Sequence, residues 1–147
     1  MPCGDGYVCA MQQRARVFSY DVSLDADWTA ASGEGGSTLP RETEWSPEHL
    51  LLAGLARCSL TSLEYHARRD GLGLRVAAAS ARGDVTRREA DSRFAFVAID
   101  VEADVALEPA PEDVRELLAK AERDCFVGAS LTVKPRYRWV VNGEEVG

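Results

Sequence analysis

Two early segments alternate apolar and polar side chains in the way that β-strands do. From Phe18 to Leu24 the even positions are apolar and the odd positions are polar, which predicts a half-buried strand over residues 16–24. A shorter extended piece follows at residues 28–31, and the glycine-rich stretch 32–37 then predicts a loop. The two extended pieces are expected to form a hairpin or a meander.

A long helix is predicted from Ser46 to about Asp70. Ser46 can cap free N–H groups, Pro47 suits the first helical position, and Glu48 lies favourably near the positive end of the helix dipole. Gly71 suits the left-handed conformation that commonly ends a helix. At ~1.5 Å per residue the helix spans roughly 34 Å, so it is expected to be the central helix of the fold.

The two halves of this helix differ in pattern. Residues 50–56 are apolar on all sides, which predicts burial on most sides. Residues 64–70 mix charged and apolar side chains, which predicts that one side reaches solvent. Cys58 lies where the pattern changes, so it is expected at the border between buried and exposed helix.

A long hairpin is predicted after the helix. Two strand-like runs, residues 74–88 and 94–107, are joined by a polar loop over residues 89–93. One face of the second run is expected to cover the helices, and it carries Ala95, Val97, Ile99, Val101, Ala103 and Val105.

A second helix and a last strand complete the predicted elements. The break at Pro109-Ala110-Pro111 opens the helix, whose apolar stripe is Val114, Leu117, Leu118 and Ala121. Cys125 follows it directly. The last strand runs over residues 131–141 and ends at the turn Asn142-Gly143, while Pro135 within it predicts a sheet edge or a bulge.

Element order and composition define the class of protein. Strands, long helix, strands, helix and strand follow with no repeat or linker, which predicts an α+β fold with mostly antiparallel sheets. A single domain is expected over residues 14–147, after a flexible leader over residues 1–13. The net charge of −7 argues against nucleic acid or anionic membrane as partners. No apolar run approaches the ~18 residues that cross a bilayer, so a soluble cytoplasmic protein is expected.

Four cysteines are the candidates for chemistry, and their spacing does not indicate a metal. No pair has the C-x2-C spacing of structural zinc sites, and the chain has two histidines, so no metal or other cofactor is expected. Cys3 and Cys9 lie in the leader and are interpreted as incidental thiols. Cys58 and Cys125 lie beside strongly patterned segments. Each could also be a small core residue, and their separation of 67 residues (125 − 58) fixes no distance between them.

A catalytic cysteine reacts as the thiolate, so its pKa must be lowered by a cation or a helix N-terminus. Cys58 lies beyond the first helical turn, where the dipole acts, so a cation is required. Arg57 points about 100° away from it, whereas Arg41, in the preceding loop, is free to fold back over the helix. Glu48 lies ten residues (58 − 48) before Cys58, on roughly the same side. It could hold an arginine by a bidentate pair or merely favour the dipole.

Two blocks of the sequence resemble the OsmC/Ohr family of osmotically inducible and organic hydroperoxide resistance proteins. Residues 46–60, which contain Cys58, are similar to the block that opens the central helix of that family. Residues 125–131, which begin with Cys125, are similar to a second block that follows its second helix, although Phe126 stands where the family has a proline. The order of strands and helices agrees over nearly the whole chain from about residue 14.

The resemblance implies peroxidase chemistry at two cysteines. Cys58 would be the peroxidatic cysteine that becomes a sulfenic acid, and Cys125 the resolving cysteine that closes a disulfide with it. Glu48 would orient the activating arginine. Arg41 is the first candidate for that arginine and Arg16 the second.

The resemblance also implies partners and an assembly. Its fold is the OsmC-like fold, with mostly antiparallel sheets wrapping the long central helix and the second helix in an intertwined homodimer. The substrate would be an organic hydroperoxide and the reductant a dithiol, such as a dihydrolipoyl protein. Apolar surroundings at Trp45, Leu51 and Leu55 are expected to favour organic hydroperoxides over hydrogen peroxide. The alternative is a non-catalytic or redox-sensing OsmC-like dimer that binds a small apolar ligand.

Overall fold

Residues 15–41 and 45–147 are described in the computed structural model of this chain. The chain divides into two units, residues 1–44 and residues 45–147. The predicted leader over residues 1–13, with Cys3 and Cys9, lies outside the described residues.

The first unit contains a short antiparallel hairpin, β1 (Val22–Leu24) and β2 (Ala30–Ser32). The expected hairpin is confirmed, but the prediction of a strand over residues 16–24 was wrong for residues 16–21, which form no strand. Backbone hydrogen bonding between strands is limited to residues 22–24, which pair with β2. The alternating apolar side chains before them, among them Phe18 and Tyr20, are exposed. Alternation alone therefore did not determine the extent of the strand.

The long helix α1 spans Pro47–Arg69, which confirms its predicted bounds. The Ser46 side chain accepts a hydrogen bond from the backbone N–H of His49, and the His49 ring lies 3.3 Å from the backbone N of Ser46. This reciprocal capping box is completed by a histidine in the place of the usual glutamate or glutamine. At the other end Asp70 is the C-cap and Gly71 has a φ of 76°, so the glycine provides the predicted stop.

Burial along α1 differs from the prediction. In the apolar first half, residues 50–56, Leu55 is the buried residue, and Leu50 is 40% exposed. The other buried residues of α1 lie after Cys58, and two of them, Leu63 and Ala67, share a core cluster with the second helix. The prediction of burial on most sides of the first half was therefore wrong for a single chain.

The second unit has a four-stranded sheet of order β3-β4-β5-β6. Strands β3 (Gly73–Arg87) and β4 (Phe94–Glu108) form the predicted antiparallel hairpin. Strand β5 (Arg136–Val141) pairs in parallel with β4, and β6 (Glu144–Val146), which was not predicted, pairs antiparallel with β5. Because β5 is an interior strand that begins after Pro135, the prediction of an edge or a bulge at this proline was wrong.

The inner face of β4 is the predicted one from Ile99 to Val105, whereas Val97 and Ala95, which were predicted to share it, depart from it because the alternation shifts at a bulge. Ile99, Val101, Ala103 and Val105 are buried, as the alternation predicted. Val97 was predicted to be buried with them but is 40% exposed. The register explains this, since Asp84 pairs with Ala98 while Val85 pairs with Phe96, which leaves Val97 as an extra residue in a bulge. Phe96 packs against the inner cluster instead.

Two helices connect β4 to β5. Helix α2 (Val114–Arg123) begins at Asp113, whose carboxylate accepts a hydrogen bond from the backbone N–H of Glu116. Its predicted stripe buries Leu117, Leu118 and Ala121 against α1, with Val114 partly buried. A four-residue helix, α3 (Phe126–Ala129), follows with Cys125 as its N-cap. Of the helices in the described ranges, none has both the length and the apolar character to cross a membrane.

A candidate site at two cysteines

The fold brings Cys58 and Cys125 together, although they are far apart in sequence. Cys125 is fully buried at 0% exposure, in a core cluster whose other buried members are Leu55, Ile99 and Val101. Cys58 is half-buried and packs against this cluster. Both are free thiols, and their side chains are within hydrogen-bonding reach of each other. Contact with Leu55 is also confirmed, and Leu52 joins the cluster, whereas Leu51 and Trp45 do not belong to it.

Helix α3 positions the second cysteine against α1. The backbone N–H of Gly128 donates to the Cys125 sulfur over 3.4 Å, as a capping bond of this short helix. The backbone N–H groups of Phe126 and Val127 act on the Cys58 thiol. Sequence reasoning missed α3 because four residues are too few to show a helical period.

A buried and a partly buried hydroxyl group lie next to Cys125. Ser59 Oγ lies 3.8 Å from the Cys125 sulfur and 3.1 Å from Tyr137 Oη, and it donates to the Leu55 carbonyl over 2.9 Å. Sequence reasoning did not single out Ser59 or Tyr137. A serine on α1 and a tyrosine on β5 carry no local signal, and only the tertiary structure brings them to the sulfur.

Burial raises the pKa of the Cys58 thiol above its usual value. The neighbouring Cys125 raises this pKa as well, whereas the N–H groups of Val127 and Phe126 lower it. No arginine is among the groups that act most strongly on this thiol in the described part of the chain. The thiol of Cys58 therefore needs a further positive charge if it is to ionise readily at neutral pH.

Arg41 and Arg16 belong to the first unit and Glu48 to the second. Arg41 is in the first unit, where its guanidinium carbon lies 3.8 Å from the centre of the Trp28 ring. Arg16 lies over Phe18 at 5.2 Å. Glu48 is exposed in the first turn of α1 and makes no ion pair with another residue of its own unit, residues 45–147. The roles of Arg41, Arg16 and Glu48 therefore stay predictions.

Arg57, the other arginine considered, is exposed on α1. In the described ranges, no group of three or more His, Cys, Asp or Glu side chains is arranged to hold a metal ion. The groups that the described residues bring together at this site are two thiols and the hydroxyl and N–H groups around them.

Tyr137 is held firmly in its protonated form. Burial is the main cause that raises the pKa of its phenol to about 12. Its ring stacks on that of Trp139, with 5.8 Å between the ring centres. The Trp139 indole in turn donates to Glu122 over 2.9 Å, which fixes the stack against α2. At neutral pH Tyr137 is therefore a hydrogen-bond donor in a defined position.

Two side-chain contacts link α1 to the end of α2. His66 Nε2 on α1 lies 2.8 Å from Asp124 Oδ2, one residue before the cysteine. The pKa of Asp124 is lowered to about 2, chiefly by the neighbouring Arg123. Ser62 adds a second link by donating to the Ala121 carbonyl over 2.7 Å. The end of α2 is thereby tied to α1 on the side that carries Cys58.

Comparison with known proteins gives a consistent match. The family model described as OsmC-like protein matches residues 40–139. No curated protein matches this sequence.

Solved structures share the fold at low identity. An OsmC-like protein of unknown function from Vibrio cholerae has a TM-score of 0.68 and 13% identity, with 86% of this chain and 100% of that chain covered. The OsmC-like protein from Mycoplasma pneumoniae has a TM-score of 0.62 and 17% identity, covering 85% and 98%. The organic hydroperoxide resistance protein OhrB of Bacillus subtilis has a TM-score of 0.59 and 19% identity, covering 85% and 98%. These likenesses establish the α+β fold that these proteins share.

Proposed function

Because the chain belongs to the OsmC family, whose model covers residues 40–139, we propose that it is a thiol-dependent peroxidase that reduces organic hydroperoxides to alcohols. Some of the proteins that share its fold are named organic hydroperoxide resistance proteins. The observation that carries the proposal is the contact between the free thiols of Cys58 and Cys125, which lie on different helices 67 residues apart.

The proposed cycle has three steps. The Cys58 thiolate attacks an oxygen of the hydroperoxide, the O–O bond breaks, and an alcohol leaves after it takes up a proton. Cys58 is then a sulfenic acid, which condenses with the Cys125 thiol to give a disulfide and water. A dithiol reductant, for which a dihydrolipoyl protein is our candidate, restores both thiols and is itself oxidised to a disulfide.

Burial supports this division of roles. Cys58 is half-buried, so a substrate can reach its sulfur, whereas Cys125 is fully enclosed. The thiol that a peroxide meets first is therefore Cys58. Cys125 is placed to react with its neighbour and to protect the sulfenic acid from overoxidation.

The activating charge is proposed to come from Arg41, with its guanidinium held by Glu48; Arg16 is the second candidate. The raised pKa of Cys58 supports the need for such a charge. Arginine suits the role because its guanidinium stays charged and can pair with a carboxylate through two hydrogen bonds.

The apolar surroundings support an organic substrate. Leu52, Leu55 and Phe96 pack in the cluster that contacts Cys58, and such walls favour an alkyl or aryl group over water. Cumene hydroperoxide is therefore expected to react faster than hydrogen peroxide. Equal rates for the two peroxides would contradict this part of the proposal.

The test is stopped-flow oxidation by cumene hydroperoxide in a Cys3→Ser/Cys9→Ser background, which serves as the control and is expected to keep full activity. Fast thiol loss is expected in this background. Cys58→Ser should abolish it, and Cys125→Ser should still react but accumulate sulfenic acid, detected with dimedone. Slow oxidation of the parent protein, or fast oxidation of Cys58→Ser, would refute the peroxidase proposal.

A second candidate is a redox-sensing member of the family that binds a small apolar ligand and forms the same disulfide slowly. The raised pKa of Cys58 favours it, because a protonated thiol reacts slowly with peroxide. The same stopped-flow experiment separates the two functions, since a sensor needs the disulfide but not rapid turnover.

A further inference from the structure

The hydroxyl groups of Ser59 and Tyr137 lie next to the sulfur of Cys125. In the proposed cycle this sulfur loses a proton when the disulfide forms, and it leaves as a thiolate when the disulfide is reduced. Ser59 is 1% exposed, and its oxygen lies 3.8 Å from the Cys125 sulfur, within the range of hydrogen bonds to sulfur. The oxygen of Tyr137 lies 3.1 Å from that of Ser59, and the phenol is also within reach of Cys125.

The Ser59 hydroxyl has a single proton to donate, and that proton has more than one possible acceptor. In the resting state the single Ser59 hydroxyl proton is donated to the Leu55 carbonyl, so its oxygen can accept from the Cys125 thiol and from Tyr137. The Leu55 carbonyl already accepts the regular helical bond from the Ser59 N–H, so it keeps a partner if the hydroxyl turns away. The Ser59 hydroxyl can therefore rotate toward sulfur when charge develops there, while Tyr137 donates to its oxygen.

We propose that Ser59, supported by Tyr137, is a catalytic hydrogen-bonding residue that stabilises the thiolate of Cys125 when the disulfide forms and when it is reduced. The inference rests on the proposed function and adds to it the residues that govern the second sulfur. Gly128 contributes one fixed backbone N–H to the same sulfur. Ser59 contributes the donor that responds to charge.

Cys125 gains or loses a proton and an S–S bond in each of the two steps. In disulfide formation the Cys125 thiol loses its proton, its sulfur attacks the Cys58 sulfur, and the S–O bond breaks. The departing hydroxide takes the proton and leaves as water. In reduction a thiolate of the dithiol attacks Cys58, the S–S bond breaks, and Cys125 departs with the electron pair and takes up a proton. The second thiol of the reductant then releases Cys58, and the reductant becomes a disulfide.

The charged and titratable groups that surround Cys125 do not stabilise its thiolate, so the stabilising hydrogen bonds must come from the hydroxyl groups. Cys58 faces it from α1 and Tyr137 from β5, and Glu122 of α2 acts on Tyr137. No cation contacts the Cys125 sulfur in the described part of the chain. A buried thiolate without an opposite charge is stabilised by donated hydrogen bonds.

Ser62 provides a matched control. It is a second buried serine on α1, and its hydroxyl donates to the Ala121 carbonyl rather than facing a sulfur. Ser59→Ala and Ser62→Ala therefore remove the same buried group from the same helix. They differ in whether the hydroxyl adjoins the Cys125 sulfur.

The experiment measures reduction of the disulfide by dithiothreitol in single turnover, after the full-length protein has been oxidised with diamide. Because no peroxide is used, this assay stands even if the peroxidase proposal fails. Hydrogen bonds to charged groups predict that Ser59→Ala slows reduction about tenfold or more, whereas Ser62→Ala stays within about twofold of the parent protein. Tyr137→Phe should slow it about threefold, because its hydroxyl acts through Ser59.

A second measurement is the pH dependence of the step in which the Cys58 sulfenic acid becomes the disulfide. Loss of the donor should move the midpoint of this profile upward by about one pH unit in Ser59→Ala. Oxidation of Cys58 itself should keep its rate, because that step involves the other sulfur. A packing defect would slow the reaction without moving the pH midpoint.

The proposal is overturned if Ser59→Ala reduces at the parent rate, if Ser62→Ala is slowed equally, or if the pH midpoint does not move. Should Ser59→Ala fail to fold, as thermal unfolding would show, Tyr137→Phe decides the matter. It keeps the ring and its stacking on Trp139, and a parent rate of reduction in this variant overturns the proposal.

Discussion

The Cys58 sulfur is subject to opposing influences on its charge. Burial and the neighbouring Cys125 raise its pKa, and the N–H groups of α3 lower it, with a net rise. A cation within ~4–6 Å would lower the pKa by about 1–3 units, equivalent to ~1.4–4 kcal/mol. Arg41 gains only ~0.5–1 kcal/mol from an exposed cation–π contact such as the one with Trp28.

Replacing Arg41 by glutamine is expected to raise the pKa of Cys58. Less thiolate is then present at neutral pH, so the rate of alkylation by iodoacetamide at pH 7 should fall about tenfold, which corresponds to one pKa unit. The curve of alkylation rate against pH should move to higher pH in the variant. It should meet the parent curve at the pH where Cys58 is fully ionised in both proteins. Arg57→Gln is the control, because Arg57 is exposed on the same helix, and its curve should not move. If Arg41→Gln leaves the curve in place while Arg16→Gln shifts it, Arg16 is the activating residue.

At the scale of elements, Gly83 is a position where the hairpin and α1 lie close together. A Cβ at this position would overlap the ring of Phe96 and would lie 3.3 Å from a methyl carbon of Leu52. Both side chains belong to the cluster that packs with Cys58. The absence of a side chain at Gly83 thus allows β3, β4 and α1 to form the wall of the site.

Gly83→Ala is accordingly expected to lower the free energy of unfolding by about 1–3 kcal/mol, as overpacking does in well-packed cores. Urea unfolding measures the effect. Gly73→Ala on the same strand is the matched control, since its Cβ would meet no atom closer than 3.5 Å, and its stability should change by less than about 0.5 kcal/mol. Equal effects of the two substitutions would show that Gly83 is not a close-contact position.

The elements that could be predicted are those whose signals are local. Ser46, Pro47 and Gly71 determine the ends of α1 through bonds within a few residues, so its bounds followed from the sequence. The bulge at Val97 depends on how β4 pairs with β3, and alternation within one strand does not contain that information. The same holds for the site, because the contact of Ser59 with Tyr137 joins α1 to β5.

At the scale of the whole molecule, apolar surface on the second unit lacks a cover. Val85 lies two residues after Gly83 and so shares the face of β3 that meets α1, yet it is 47% exposed. Phe94, on the other strand of the hairpin, is 69% exposed, and the Arg87 guanidinium lies over its ring. Leu50 on the first half of α1 is exposed as well. By the strand register, Val85 and Phe94 lie on one face of the hairpin, and exposed apolar side chains on one face of a sheet are typical of an interface.

A second copy of the chain is the cover that we propose, in line with the homodimer expected from the family resemblance. Sedimentation equilibrium at micromolar concentration should give twice the mass of one chain. Val85→Lys should shift the protein toward the monomer, because a charge would be buried in the interface without a partner. Thr86→Lys is the control and should stay dimeric, since neighbouring residues of a strand point to opposite faces.

The same pair of variants links assembly to activity. If each site is completed at the interface, the oxidation rate per chain should fall on dilution and in Val85→Lys, in proportion to the fraction of monomer. Thr86→Lys should keep the parent rate at every concentration. A parent protein that sediments as a single chain, or a monomeric Val85→Lys that oxidises at the full rate, would show that one chain builds the site alone.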